Sequence, residues 1–509
     1  MKKKYLLLAL LLSGLSAAFA TEAPQKLMVA PGTLSATSAT LIWDKPVKYD
    51  DIVRYHIILN GKEAGTTAKG NYILNGLSPV KTYSCAVRSE DRDGKLSAPS
   101  APVKFNTQHQ GKTFNVTDFG AKGDGATINT KAIQKAIDAC PVNGTVLIPE
   151  GTFMSGALYL KSHMTLQIAK GGVLKGSVSD VDYLPFINNR FEGWEMKTYA
   201  SLINAGIMNN KGGYTVDDLH IKGEGTISGG NSPLAKNMMD HGGLRVRGRL
   251  ICLLNCRDVE IQGLNIQDSP CWTIHYIYSK GVTCHDLKIV STAHNGDGLD
   301  PDSSDDSYIF NCSFSTGDDC IAIKSGKNPE GFTIGKPTRN VRITDCDFIK
   351  GHGISIGSEM SGGVSDVLVQ DCKAGALLNG MQIKGTKERG GYVKNVTVAD
   401  CQLLKITIFT ALNYNNDGAA APEPPTFANF TFRNIDLSKA SVAKGPVMDL
   451  NGFKDDAHKL KDCSFTNIIT PDNARIVIKD AERLNFTNVK SASGAKPVYE
   501  ANNSTNVVY

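Results

Sequence analysis

The sequence has no surplus of charge, no second long apolar run and almost no helical periodicity. The formal charge is +5, and removing Lys2, Lys3 and Lys4 at the start of the chain lowers it to +2. A chain this close to balance offers no basic surface for nucleic acid or membrane. Past residue 20 no apolar stretch is long enough to cross a bilayer. Residues 1–20 themselves join the three lysines to an apolar run, Tyr5 to Leu12, and end in Ala18-Phe19-Ala20. That pattern predicts a cleaved export signal. No cysteine follows the cleavage site, which argues against a lipid anchor. The expected product is a soluble monomer, periplasmic or secreted. Twelve cysteines in such a chain raise the prospect of disulfides.

What is present is strand. Residues 24–107 carry short alternating runs between turn signals, among them "ATLIWDKP", "YHIILNGKEAG" and "TYSCAVRSEDRDGK". This predicts a small β-sandwich with Trp43 in its core. "LSPVKTY" (77–83) resembles the tyrosine corner of a fibronectin type III domain. The segment holds no catalytic cluster, so a spacer or carbohydrate-proximal role is expected.

A second domain is expected over 113–509. It opens on "DFGAKGDG" (118–125) and one amphipathic helix, in which Ile133, Ala136, Ile137 and Cys140 share a face. Asn129 or Thr130 caps its start, and it is expected to cover an open sheet end. Then a template repeats: Asn or Asp, apolar, any, apolar, any, any, apolar. It reads "DVEIQGL" (258–264), "GVTCHDL" (281–287), "DSYIFNC" (306–312), "NVRITDC" (340–346), "DVLVQDC" (366–372), "NVTVADC" (395–401) and "NFTFRNI" (429–435). The spacing of 23 to 34 residues, with strands and no helix between, predicts a parallel β-helix. The fold class is thus all-β: a right-handed parallel β-helix behind a sandwich. The seventh template position is Leu264, Leu287, Cys312, Cys346, Cys372, Cys401 and Ile435. Since leucine and isoleucine replace cysteine there, these cysteines read mostly as free, buried core residues. Cys252–Cys256 and Cys271–Cys284 stay open as pairs.

Aligning the coils gathers one polar patch. Asp318, six residues after Cys312, falls level with His352, six after Cys346. "NGDGLDPDS" over "GDDCIAIKS" sets Asp297 level with Asp319, and "MQIKG" over "CIAIKSG" sets Lys384 level with Lys324. Gly317 permits a bend at which Asp318 and Asp319 both face outward. Cys320 and Ala322 then turn in, as do Ile354 and Ile356, with Asp300 on the inward track as a supporting residue. Three neighbouring carboxylates repel, so at least one pKa rises and a neutral acid sits beside ionised partners. A calcium site or a solvated acidic turn is the plainer reading. Calcium has little use for His352 or Lys384.

"NGDGLD" (295–300), "GDDC" (317–320), "GHG" (351–353) and "QIK" (382–384) resemble, in order, the NTD, G/QDD, GHG and RIK motifs of polygalacturonases. "SPCWTIH" (269–275) resembles another segment of that family, and the likeness spans roughly 113–450. The resemblance implies inverting hydrolysis of α-1,4-galacturonan in polygalacturonate, pectin or their oligomers, with no cofactor and no metal. It implies Asp318 as general acid, Asp297 and Asp319 holding the water, and His352 tuning the acid. Lys384 pairs with a substrate carboxylate, and Gln382, Asn295, Lys324 and Tyr414 complete the substrate-binding set. Gln382 stands where the family has arginine, and Gly296 where it has threonine, which puts endo action in doubt. The long interval after "DD", "RFEGWE" (190–195) and the sandwich resemble the bacterial exo-acting branch.

Four rivals remain at this level. An endo-polygalacturonase and a hydrolase of rhamnogalacturonan or xylogalacturonan share the chemistry. A pectate lyase needs calcium and a strong base, and no arginine is evident at the patch. A non-enzymatic adhesin needs no acid cluster.

Overall fold

The computed structural model describes residues 21–410 and 418–509, so the leader and Tyr414 lie outside the described residues. The chain forms two compact units, the first running to Val29 and over Ser35–Thr107, the second comprising Ala30–Leu34 and Gln108–Tyr509.

The first unit is a sandwich of two antiparallel sheets. Gln25–Val29, Ser38–Asp44 and Asn71–Asn75 form one; Lys62–Thr67, Ile52–Leu59, Thr82–Asp91 and Val103–Asn106 form the other. Along Thr82–Asp91 every second residue from Tyr83 is buried, the period of a half-buried strand. Trp43 meets Tyr55 edge to face at 5.4 Å in the core. The Tyr83 hydroxyl accepts the Ser78 N–H at 2.9 Å, which closes the corner.

The second unit is a parallel β-helix with sheets of 14, 9 and 12 strands. One inward column runs Val259, Val282, Ser307, Val341, Val367, Val396 and Phe430 in register. The template's polar positions make the corners. At its first position Asp258, Asp306, Asn340, Asp366, Asn395 and Asn429, and at its sixth Asp286, Asn311, Asp345, Asp371, Asp400 and Asn434, all have φ between 54° and 62°. Asparagine and aspartate tolerate this left-handed conformation better than other non-glycine residues. Their side chains also join coils: Asn340 donates to Asp306 at 2.6 Å, and Asn434 to Asp400 at 2.9 Å. The template runs on unrecognised through "DCSFTNI" (462–468) and "RLNFTNV" (483–489), whose strands pair in register with Thr426–Asp436 and each other.

The helix Thr130–Ala139 buries Ile133, Ala136 and Ile137 as its spacing requires. Asn129 holds the N-cap position, but its side chain bonds Lys122 and Thr127 instead of the helix. Two more helices, Asn231–Gly242 and Glu330–Ile334, correct the expectation of strands alone. Both lie between strands of successive coils, outside the template. All twelve cysteines are free and buried, including the two pairs left open above. Burial pushes the Cys346, Cys372 and Cys401 thiols well up, which leaves them unreactive.

On the outer face of the largest sheet, buried Glu260 takes hydrogen bonds from His220 at 2.9 Å, Lys222 at 3.2 Å and His285 at 3.3 Å. Burial opposes every charge here. The hydrogen bonds outweigh it, lowering the Glu260 carboxyl and raising both imidazoles. Glu260→Ala strands the cations and is expected to cost about 3–5 kcal/mol. The raised histidines stabilise below their unfolded pKa and lose that effect as pH rises through their folded values. The lowered carboxylate loses its effect as pH falls below its unfolded value. The gap between wild type and variant is therefore widest from about pH 5 to 6.5. Denaturant unfolding at pH 4, 6 and 8 checks this; a gap unchanged at pH 8 contradicts it.

Candidate active site

The site grows from the twelve-stranded sheet. Leu299, Ile321, Ile354 and Met381 stack in register and point into the core. The next residues, Asp300, Ala322, Ser355 and Gln382, are therefore on the outward side. This corrects the alignment that turned Asp300 and Ala322 inward: Ile321 and Ile323 are the core residues. Asp300 is nonetheless fully buried, because the side chains around Lys324 cover it.

Just before each strand the chain bends. Asp297 and Asp319 both lie two residues ahead of the paired Leu299 and Ile321. His352 lies two ahead of Ile354, so it is level with Asp319 and not with Asp318. A register shift between Phe314 and Ser315 breaks the count from Cys312. The site still assembles. His352 Nδ1 is 3.0 Å from Asp318 Oδ1 and 3.8 Å from Asp319 Oδ1. Lys384 donates to Asp319 Oδ2 at 3.1 Å, and the Ser355 hydroxyl to Asp319 Oδ1 at 2.7 Å. Gln382 donates to Ser355 at 3.3 Å, so it props Asp319 from behind and is itself buried. Ile323, Ile356 and Ile383 stack, which sets Lys324 level with Lys384. Lys324 is buried against Glu359 at 3.1 Å and Asp297 and Asp300 at 3.5 Å, with its amine 4.4 Å from the Trp272 ring centre.

These surroundings divide the carboxyls. Burial pushes Asp297 up to about 7; Lys324 opposes it, and Asp318 and Asp319 add to it. Asp300, fully buried beside Asp297, is held well above the usual carboxylate range. Asp318 goes the other way: His352, Lys384 and Lys324 outweigh burial and lower it. His352 is raised, chiefly by its hydrogen bond to Asp318. Asp297 and Asp300, both pushed toward the neutral form, thus sit beside the His352–Asp318 pair. Asp318, Asp319 and His352 also offer three donor atoms within 4.8 Å of one another, a spacing that suits a cation. Both Asp319 oxygens are already taken, Oδ1 by the Ser355 hydroxyl and Oδ2 by Lys384.

The carboxylates open into a cleft of about 300 Å³, lined also by Asn295, Trp272, Glu359, Lys327, Arg245 and Glu192. Arg245 corrects the reading that no arginine lies at the patch. It is half exposed, pairs with Glu192 at 2.8 Å and covers the Trp194 ring. Arg247 donates to Asn295 at 2.7 Å. Both come from a turn several coils away in sequence, which aligning the motif-bearing coils does not reach.

A hairpin, Ile187–Phe191 and Trp194–Thr198, closes one side. Buried Arg190 anchors it to Asp302 at 2.7 Å. Its tip meets the 327–334 segment: Gly193 accepts the Lys327 N–H at 2.9 Å, Trp194 donates to the Asn328 carbonyl at 3.0 Å, and Glu330 accepts the Glu195 N–H at 2.7 Å.

The profile of Glycosyl hydrolases family 28 matches residues 148–494. The chain belongs to that family. The fibronectin type III profile matches residues 22–106, and that of "Rhamnogalacturonase A/epimerase, pectate lyase-like" residues 113–176. An exo-poly-alpha-D-galacturonosidase of Dickeya chrysanthemi is 28% identical, over 95% of this chain and 94% of its own. An endo-polygalacturonase of Pectobacterium parmentieri is also 28% identical, over 65% of this chain and 81% of its own. The solved family 28 exopolygalacturonase of Yersinia enterocolitica superposes with a TM-score of 0.85 at 27% identity, covering 96% of this chain and 99% of that one. The protein is a family 28 glycoside hydrolase of the polygalacturonase group, with the β-helix and sandwich of that architecture.

Proposed function

We propose that this enzyme hydrolyses α-1,4-galacturonosyl bonds from a chain end, with inversion, and releases short saturated products. The observation that carries the exo reading is the hairpin docked on the 327–334 segment, a wall across one side of the carboxylate cleft. A groove open at both ends accepts the middle of a polymer; a walled one accepts a terminus. The cations Lys384, Lys327 and Arg245 suit an acidic sugar. Asp318 is the general acid, Asp297 and Asp319 hold the attacking water, and Tyr414 joins the substrate contacts. An entering sugar displaces water around Asp318 and brings a carboxylate near it, and both raise its pKa. The proton held by Asp297 in the free site can then reside on Asp318. The export leader read at residues 1–20 of the sequence supports a site of action outside the cytoplasm.

Proton NMR of the first products tests inversion: the new reducing end appears first as the β anomer, and α first would overturn it. Activity should survive excess chelator, because carboxylates alone activate the water; loss of activity restored by calcium would favour a lyase. The proton that Asp297 holds in the free site leaves as pH rises through about 7. With Asp297 ionised, one proton fewer is at hand for Asp318, so kcat/KM should fall on the alkaline side of neutrality. A profile flat to pH 9 contradicts that.

A further inference from the structure

We infer that a second groove, on the other side of His352 from the walled cleft, is a binding site for the acidic chain that continues beyond the scissile bond. This rests on the galacturonan reading and extends it to residues outside every sequence motif noted above.

The groove encloses about 570 Å³ and includes Gly317, Gly351 and His352 in its lining, so it begins beside Asp318. Its charged lining is Lys350, Lys405, Lys439 and Lys444, with no aspartate or glutamate at all. The whole chain, by contrast, has 55 Lys and Arg against 50 Asp and Glu. A wall of four cations without one acid is therefore a local feature. Among the described residues none of these four amines is in an ion pair, whereas Lys324 and Lys384 in the cleft are each held by carboxylates. Unpaired amines keep their full charge for a ligand. Between them lie Leu377, Leu404, Val447 and Leu378, the last 63% exposed. A leucine this exposed gives the apolar face of a pyranose ring something to cover. Apolar floor and cationic rim together match a chain whose every sugar has an apolar face and a carboxylate. A neutral glycan would leave the lysines unmatched. A bare inorganic anion would leave the floor unused.

The groove also lies where the remaining chain must go. The hairpin blocks the cleft on its own side, so a terminal sugar seated there leaves the rest of the polymer running past His352.

The test uses Lys439→Gln/Lys444→Gln, two exposed positions whose loss should not disturb the fold; Lys439→Glu/Lys444→Glu is the stronger second variant. Hydrolysis is followed on galacturonate oligomers from dimer to hexamer. In wild type kcat/KM should climb with length. In the Gln variant the hexamer-to-dimer ratio should drop about tenfold, and further in the Glu variant. The wild-type climb should shrink with added salt, more than it does in the variants. Ratios equal to wild type in both variants overturn the inference. Binding of the hexamer by calorimetry is read in parallel on the same proteins. If wild type cleaves no galacturonan, the functional reading fails on its own, and the groove still stands or falls by whether the Glu variant weakens hexamer binding. Equal weakening toward a neutral hexasaccharide would also overturn it.

Discussion

Asp318→Asn is expected to lower hydrolysis by about 10²–10⁴ or more, while oligogalacturonate binding stays within about threefold of wild type. The amide matches the carboxyl in shape. It can still accept the Asp319 N–H that Asp318 Oδ1 now takes at 2.9 Å. What it cannot do is give a proton to the departing sugar oxygen. It also strips His352 of its charge partner, so the imidazole pKa should fall toward its ordinary value; proton NMR of the ring reads this directly. A variant with near-normal turnover would remove Asp318 from the acid role. A variant that neither turns over nor binds would show misfolding instead, and its melting curve separates the two.

The second large effect concerns the wall. Shortening 327–337 removes the partners of the hairpin tip: the Lys327 N–H, the Asn328 carbonyl and the Glu330 carboxylate. It leaves Asp297, Asp318, Asp319 and His352 in place, since these sit on turns braced by the twelve-stranded sheet. The cleft then opens on the blocked side, and internal bonds become reachable. On long polymer, viscosity should fall severalfold faster per bond broken than with wild type. Lys327 lines the cleft and is lost as well, so affinity for short oligomers should drop. The decisive comparison is viscosity plotted against new reducing ends. Curves that coincide for variant and wild type would mean the wall does not set the mode of attack.

The sequence revealed the solenoid because a buried column must stay apolar. Val259, Val341 and Val396 sit one above another, so the repeat is written in composition. The corners were visible too, as Asn and Asp at fixed positions, but their left-handed φ is evident only in the structure. Coil alignment brought Asp297, Asp318, Asp319, His352 and Lys384 together because parallel strands keep register. It failed by one residue at Asp318 and His352, where the pairing slips after Phe314. It also misjudged which side Asp300 faces. Arg245, Arg247 and the hairpin contacts were out of reach, because insertions fold over the solenoid and obey no period. The same holds for the lysine groove, whose four lysines come from three separate stretches of chain. No spacing rule links Lys350 to Lys444; only the stacking of coils does.

The central claim is end-directed hydrolysis of galacturonan, and the size of the earliest products tests it most directly. Wild-type enzyme is given long polygalacturonate, and products are separated by size before one bond in fifty, roughly, has been cut. The account predicts short saturated oligomers of a single length class beside nearly intact polymer. A broad ladder of intermediate sizes at that stage, or products absorbing through a 4,5 double bond, would contradict it.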